Sequence, residues 1–304
     1  MKTKRFVLLL ALMLVIACSA CAEIIDDPVL LTRESDLPDE LFSETPPEVT
    51  EAITTNLQVH FIDVGQGDSI LIQLPNGQTM LIDGGKQSEG DRLLEYLTSM
   101  KVTTIDFLIA THPHEDHIGG LPAVIEELNV RNIYMPRVAH NTRIFEDLLL
   151  AIGDKGLTIN TAKAGVDIVS VPDLQISFVA PVDDYYEDLN NYSGIIRLTY
   201  KDNAFLFTGD AEAKSEKQIT ADISANVLKA GHHGSNTSTT SGFLKKVDPE
   251  IAVISCGKDN SYGHPHDEIM DRLNRAGVKV YRTDERGTVR ITSDGVRVDV
   301  VTEK

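Results

Sequence analysis

Residues 107–120 read FLIATHPHEDHIGG, an apolar run followed by three histidines and two acids within six positions. The apolar run has the composition of a buried strand, so the titratable residues are expected where a strand ends. His112 and His114 alternate in an extended segment and therefore present their rings to one side. Asp116 and His117 follow where the chain turns. Neutral imidazole and carboxylate together suit zinc and similar divalent ions, so the loop predicts a metal site.

Further histidines also follow apolar segments and lie among glycines: His232, His233, His264 and His266. Such positions are typical of loops at strand ends. Asp210, in FLFTGDAE, comes shortly after another apolar run. A carboxylate there can bridge two cations, although a helix N-cap is its other ordinary role. We expect His60 to be a packed or solvated strand residue. His140 lies in a polar loop and is expected to be exposed or, alternatively, to reach over the site.

The segment LQVHFIDVGQGDSILIQLPNGQTMLIDGG, residues 57–85, contains three apolar runs separated by glycine-rich turns. This pattern predicts an antiparallel meander. If the strands run up, down and up, the first turn with Asp68 and the end of the third strand with Asp83 lie at one edge of the sheet. Strands and helices then alternate in both halves of the chain. Two sheets packed face to face with helices outside, in one domain over 57–304, are therefore expected.

Residues 1–21 comprise a short basic region, an apolar run too brief for a comfortable membrane span, and small residues before cysteine. This pattern predicts an export signal. The residues around Cys18 resemble the lipobox of bacterial lipoproteins, with Cys21 as the alternative modified residue, whereas an ordinary cleaved signal would give a secreted protein. Residues 22–56 are acidic and rich in proline and threonine, which predicts a disordered tether. We therefore expect a protein of the bacterial cell surface, anchored to the membrane by lipid.

The formal net charge of the chain is −18. An acidic surface of this kind repels polyanions, and the sequence contains no basic stripe of the type that non-specific duplex binders carry. Any nucleic-acid chemistry would then depend on metal ions and local contacts.

The histidine loop, with Asp83 upstream, Asp210 in a TGD turn and His232 later, resembles the metallo-β-lactamase-fold hydrolases. The resemblance implies the αββα four-layer sandwich, an α/β fold. More narrowly, DVGQGDSILI, THPHEDHIGG, NNYSGIIRL, LFTGDAE, KAGHHGSNTS and YGHP resemble the extracellular metallo-β-lactamase-like domain of ComEC-type DNA-uptake competence proteins. We expect a stand-alone, lipid-anchored version of that domain.

The resemblance implies two divalent ions, Zn²⁺ or alternatively Mn²⁺. It places His112 and His114 on the first ion and Asp116, His117 and His232 on the second, with Asp210 bridging. Asp83 resembles an outer acid that orients a ligand. The usual third histidine of the first site is replaced by the residues NNYS, 190–193, so this site is expected to be weaker, filled by water or an asparagine oxygen, or tolerant of manganese.

Two residues are predicted to act in catalysis, Asp116 and His264. For His264 the sequence leaves three roles open: protonation of a leaving group, contact with phosphate, or a structural turn. Other residues are expected around the metals or against the substrate: Asp68, Asn191, Ser193, His233, Ser235 and Thr237. For Asp68, Ser235 and Thr237, turn formation or helix capping would explain the residue type equally well.

The chemistry implied by two divalent ions is hydrolysis, because a bound water has its pKa lowered to about 7 and the cations stabilise developing negative charge. A phosphodiesterase or nuclease acting on DNA is the leading prediction. One alternative is hydrolysis of another ester, a lactone or a lactam on the same fold. The other alternative is a surface binding protein that has lost catalysis because its first metal site is incomplete.

Overall fold

The computed structural model describes residues 56–304. Its strands are β1 (Leu57–Phe61), β2 (Ile70–Gln73), β3 (Thr79–Ile82), β4 (Thr104–Ile109), β5 (Asn129–Met135), β6 (Ile159–Thr161), β7 (Asp167–Val171), β8 (Leu174–Ala180), β9 (Ile195–Tyr200), β10 (Asn203–Phe207), β11 (Val227–Lys229), β12 (Ile251–Ile254), β13 (Lys279–Arg282), β14 (Val289–Ser293) and β15 (Val298–Thr302). Its α-helices are α1 (Gly90–Ser99), α2 (Glu115–Ile118), α3 (Leu121–Glu127), α4 (Arg143–Asp154), α5 (Ala213–Gln218), α6 (Ser241–Val247), α7 (Asp267–Arg275) and α8 (Thr283–Arg286).

The strands form two mixed sheets. The first has the order β15-β14-β1-β2-β3-β4-β5-β6, and the second has the order β13-β12-β11-β10-β9-β8-β7. Strands β1, β2 and β3 pair antiparallel, which confirms the predicted meander. Strands β9 and β10 also pair antiparallel, with Lys201 and Asp202 between them.

Apolar side chains fill three spaces between layers. Phe107 and Ile109 of β4 point to the space between the sheets, where they belong to the same buried cluster as Phe205 and Phe207 of β10. The other face of the first sheet is covered by α1, α3 and α4. The second sheet is covered in the same way by α6 and α7. This arrangement confirms the αββα sandwich, because each sheet buries one face on its partner and the other on helices.

The candidate site lies where several parallel strands end. Strands β3 and β4 are parallel neighbours in the first sheet, and β10, β11 and β12 are parallel neighbours in the second. Each of the five strands is followed by a loop that carries polar side chains. Loops at the carboxyl ends of parallel strands gather at one edge of a sheet, which is where α/β proteins place their ligands.

A glycine allows the first turn to approach the histidine loop. The backbone N–H of Asp68 donates to the carbonyl oxygen of Asp116 at 3.1 Å. Gly67, directly before it, has φ +140°, and a Cβ there would lie 2.2 Å from that same oxygen. Glycine is therefore needed at this position both for the backbone conformation and for the close contact.

The predicted signal, the lipobox cysteine Cys18 and residues 22–55 of the predicted tether lie outside the described residues. Within residues 56–304, no helix combines the length and the apolar composition that a membrane crossing requires.

Candidate metal centre

Four side chains from three loops bring ligand-type atoms together. The Oδ2 of Asp210 lies 3.2 Å from the Nε2 of His117 and 3.3 Å from the Nε2 of His233. His233 Nε2 also lies 3.3 Å from His117 Nε2 and from the Oδ2 of Asp116. Ligands at about 2.0–2.1 Å from a tetrahedral zinc ion are separated by about 3.3 Å, so Asp210 Oδ2 and the two Nε2 atoms have the spacing of three ligands of a zinc site.

A second feature of Asp210 fits a cation. Its Oδ1 is buried and has no hydrogen-bond partner among the described residues. A buried carboxylate oxygen without a partner is costly unless a cation satisfies it. The donor set of two imidazoles and two carboxylates therefore fits a divalent ion both in spacing and in chemistry.

Hydrogen bonds on the far side of the two rings orient them toward that centre. The Nδ1–H of His117 donates to Asp83 Oδ2 at 2.8 Å, and the Nδ1–H of His233 donates to the carbonyl oxygen of Ser255 at 3.0 Å. Asp83 is itself held by the backbone N–H and hydroxyl of Thr111, at 2.8 and 2.7 Å. When each ring is neutral, its Nε2 lone pair therefore faces the centre, as in other metal sites where an outer acceptor selects the tautomer.

Asp68 lies beside this centre but on its outer side. Its Oδ1 is 3.4 Å from His233 Nδ1, whereas its Oδ2 is 2.5 Å from the ammonium of Lys229. Both side chains are almost entirely buried, at 1% and 0% exposure for Asp68 and Lys229. Asp68 therefore faces the Nδ1 edge of the ring. Its buried Oδ1 has no hydrogen-bond partner among the described residues, and its carboxylate forms one group with His117, Asp210 and His233 whose ligand-type atoms all lie within 4.8 Å of one another.

Sequence reasoning did not identify Lys229, the last residue of β11. Its ammonium also donates to the carbonyl oxygen of Gly209 at 3.4 Å, next to Asp210. The available signal was a lysine enclosed by the apolar residues of VLKA, since lysine is almost never fully buried unless it is paired.

The charges of the centre are balanced internally. Burial lowers the pKa of His117 and His233, but Asp210 and the neighbouring carboxylates outweigh it and hold both values well above the ordinary range. Burial raises the pKa of Asp210, yet the two histidines hold it well below its ordinary range. In the absence of a metal, protons on the imidazoles therefore supply the positive charge that these carboxylates require.

His112 and His114 lie on the other side of Asp210. His112 Nε2 is 3.0 Å from His114 Nδ1 and 4.0 Å from Asp210 Oδ2, so these three groups outline a second, less complete site. His140 reaches over this pair, with its ring 5.9 Å from that of His114. It is half-buried, so the structure favours the second of its two predicted placements, over the site.

Asn191 and Ser193, two of the residues that replace a further histidine, have different partners. The Oδ1 of Asn191 accepts from the backbone N–H of Ser215 at 3.1 Å. The hydroxyl of Ser193 lies 3.4 Å from His112 Nδ1 and accepts from the backbone N–H of Asp210 at 3.1 Å. Ser193 thus connects the two sides of the centre. The side-chain oxygen of Asn191 is engaged elsewhere, whereas the buried Oδ1 of Asn190 has no hydrogen-bond partner among the described residues.

His232 occupies the open side of the centre. Its Nε2 is 3.6 Å from Asp210 Oδ2, and its Nδ1 is 3.4 Å from Glu212 Oε1 and 3.2 Å from the Thr237 hydroxyl. Ser235 contacts Thr237, hydroxyl to hydroxyl, at 3.0 Å. The geometry favours His233 for the position predicted for His232, because only His233 has an Nε2 that lies within 3.3 Å of the other ligand atoms.

His264 stands at the rim. Its ring centroid is 5.6 Å from that of His232 and 6.3 Å from that of His233. Burial, and then the neighbouring histidines, lower the pKa of His264 to about 4. The ring is therefore uncharged at neutral pH. His60, by contrast, is buried in β1, where its Nδ1 lies 2.8 Å from the Tyr96 hydroxyl.

Comparison with known proteins supplies the family. Over 253 residues the chain is 32% identical to ComE operon protein 3 of Bacillus subtilis, covering 77% of this chain and 32% of that protein. It is also 32% identical over 250 residues to Recombination protein 2 of Haemophilus influenzae, covering 80% of this chain and 30% of the relative. The chain thus spans about a third of the length of these relatives.

Among solved structures, CmlA, a diiron β-hydroxylase from Streptomyces venezuelae, shares the fold with a TM-score of 0.52 at 13% identity, covering 80% of this chain and 54% of CmlA. Residues 62–258 match the Metallo-beta-lactamase superfamily, which is more than half of the chain. Together with the sandwich and the cluster of histidines and aspartates at its edge, this match establishes that the chain belongs to the metallo-β-lactamase superfamily.

Proposed function

We propose that this protein is a metal-dependent phosphodiesterase that acts on nucleic acid. The observation that carries the proposal is that Asp210 Oδ2 and the Nε2 atoms of His117 and His233 lie 3.2–3.3 Å from one another, which is the spacing of three ligands of a tetrahedral divalent site. The Oδ2 of Asp116 lies 3.3 Å from one of them, His233 Nε2. His112 and His114 lie beside it, which suits a two-metal arrangement. Relatives named for the ComE operon and for recombination support a nucleic-acid substrate.

In this proposal His117, His233 and Asp116 would hold one ion, and His112 and His114 would hold the other. Asp210, which lies beside both groups, would serve as a further ligand. When bound, divalent ions supply Lewis acidity and a nucleophile at neutral pH. Asp83 and Ser255 keep the two inner imidazoles in the ligating tautomer. Zn²⁺ suits the donor set of the first group, and Mn²⁺ is the alternative for the less complete pair.

His264 contributes in its neutral form. With its pKa lowered to about 4, it does not carry the extra proton that a leaving group would take up at neutral pH. A neutral imidazole can still donate one hydrogen bond to a phosphate oxygen. Of the roles that the sequence left open, contact with phosphate is therefore the one we propose.

The test is hydrolysis of bis-p-nitrophenyl phosphate and of DNA by the purified protein with added Zn²⁺ or Mn²⁺. We expect metal-dependent turnover that is lost in the double variant His114→Ala/Asp210→Ala, with an unchanged circular dichroism spectrum. Bound metal is measured in parallel by mass spectrometry. Two bound ions without turnover on any phosphodiester would contradict the proposal and redirect attention to other esters and lactams.

The proposed location is the outer surface of a bacterial membrane. It rests on residues 1–21, with Cys18 as the lipidated residue and Cys21 as the alternative. Mass spectrometry of the mature N-terminus tests it, since a diacylglycerol adduct on Cys18 that is absent from Cys18→Ser would support anchoring. An unmodified N-terminus would indicate a secreted or unprocessed chain.

A further inference from the structure

A series of aromatic rings leads from the metal centre to the surface. The ring of His264 lies 6.3 Å from that of His233 at an interplanar angle of 29°. The ring of Tyr262 lies 5.6 Å from that of His264 at 21°. Both pairs are close to parallel, so Tyr262 extends a stack that begins on a proposed metal ligand.

Tyr262 is the outermost ring of this stack and is 60% exposed. One face of the ring lies against His264, so the exposed area belongs to the opposite face and the edges. An exposed tyrosine that ends a stack presents a flat aromatic surface to any planar group that approaches the centre.

The loop that carries Tyr262 is held in place by one side chain, Asn260. Its Nδ2 donates to the carbonyl oxygens of Gly257 and His264, at 2.9 and 2.5 Å. Its Oδ1 accepts from the backbone N–H groups of Tyr262 and His264, at 3.2 and 3.0 Å. The ring is therefore presented by an ordered loop, which reduces the entropy that binding would otherwise cost.

The overall charge makes such a surface useful. A chain of net charge −18 gains little affinity for a polyanion from long-range electrostatics. Stacking of bases on aromatic side chains does not depend on net charge and tolerates any base sequence. Local stacking beside the metals is thus a means by which this acidic protein can hold a nucleic-acid strand.

We infer that Tyr262, which lies two ring spacings from His233, is a stacking platform for a nucleobase of the substrate. The inference rests on the proposed phosphodiesterase function and specifies its substrate as a nucleic acid with unstacked bases, that is, a single strand or a frayed end. A base inside a duplex is covered by its neighbours and cannot stack on a protein ring without being unpaired.

The test compares two single-stranded oligomers of equal length and charge, hexathymidylate and a hexamer in which every nucleoside is an abasic tetrahydrofuran. Cleavage by the full-length protein is measured with Mn²⁺ or Zn²⁺ for the wild type, Tyr262→Ala and Tyr262→Phe. Tyr185→Ala, which changes another exposed tyrosine outside the ring series, is the matched control.

For the wild type we expect a KM for hexathymidylate at least about tenfold below that for the abasic hexamer, as a single base stack would produce. Tyr262→Ala should raise the KM for hexathymidylate to the level of the KM for the abasic hexamer, and it should leave the KM for the abasic hexamer unchanged. Tyr262→Phe and Tyr185→Ala should behave as the wild type, because stacking requires the ring and not the hydroxyl.

Equal KM values for the two oligomers in the wild type would overturn the inference. So would an equal rise of both values in Tyr262→Ala, since the ring would then contact sugar or phosphate. Turnover of bis-p-nitrophenyl phosphate without cleavage of either oligomer would refute the inference while leaving the phosphodiesterase proposal intact. No turnover of any of these substrates would remove the proposed function and the inference with it.

Discussion

The buried pair of Lys229 and Asp68 makes a strong prediction about stability. Substitution of Lys229 by methionine keeps the length of the side chain but removes its charge, which leaves Asp68 buried without its 2.5 Å partner. Breaking a buried pair by removing one member costs about 3–5 kcal/mol. The Nδ1 atoms of His233 and His117 lie 3.4 and 3.9 Å from Asp68 and compensate in part, so we expect about 3 kcal/mol.

The loss of stability in Lys229→Met should depend on pH in a defined direction. In the wild type, burial raises the pKa of Asp68, but Lys229 and the histidines outweigh it and lower the value. This carboxylate therefore contributes stability above its unfolded pKa. Without Lys229 we expect the burial of Asp68 to outweigh the attraction of the two histidines, so that its charged form becomes unfavourable and stability is lost as pH rises. The destabilisation by Lys229→Met should be larger at pH 8 than at pH 5.

The assay is urea unfolding followed by circular dichroism, with EDTA present so that metal binding does not contribute. The double variant Lys229→Met/Asp68→Asn should recover part of the lost stability, because an amide carries no charge. The remaining loss, due to imperfect hydrogen bonding of the buried amide, should be about 1–2 kcal/mol. Lys163→Met is the control, since the ion pair of Lys163 with Asp184 is solvent-exposed and is worth about 0–1 kcal/mol. A loss below 1 kcal/mol for Lys229→Met, or the same loss at both pH values, would refute the reasoning.

Two further predictions concern the candidate metal centre and the glycine turn that packs against it. Because the pKa values of His117 and His233 are raised, a divalent ion must displace protons when it binds the metal-stripped protein, so the affinity for the ion should fall as pH falls. Titration calorimetry in buffers of different ionisation enthalpy should show this proton release. Identical binding heats in all buffers would contradict the prediction. Gly67→Ala should lower the free energy of unfolding in urea by about 2 kcal/mol or more, because its Cβ would meet the Asp116 carbonyl oxygen. Gly65→Ala is the control: Gly65 has φ +66° but open space around the added Cβ, so the loss should be about 1 kcal/mol. Equal losses in the two variants would argue against the close approach at Gly67.

Much of the fold could be predicted from local pattern. The apolar runs of residues 57–85 and their glycine-rich turns indicated the meander, and the structure pairs these strands as expected. The apolar run before His112 indicated a buried strand, which β4 forms between two parallel neighbours. These features depend on residues that are close in sequence, so periodicity and turn chemistry were sufficient.

The sequence by itself determined the αββα sandwich, the superfamily and the loops in which a metal would be held, because strand patterns and the spacing of HxHxDH are local properties. Only the tertiary structure distinguished His233 from His232. Both have positive φ values, 49° for His232 and 54° for His233, and only the contact with Ser255, on another strand end, shows which ring turns inward. The pairing of Lys229 with Asp68 likewise joins residues from two sheets that touch only after folding. Side-chain direction and burial arise from packing between segments that are distant in sequence, so the spacing of residues along the chain does not predict them.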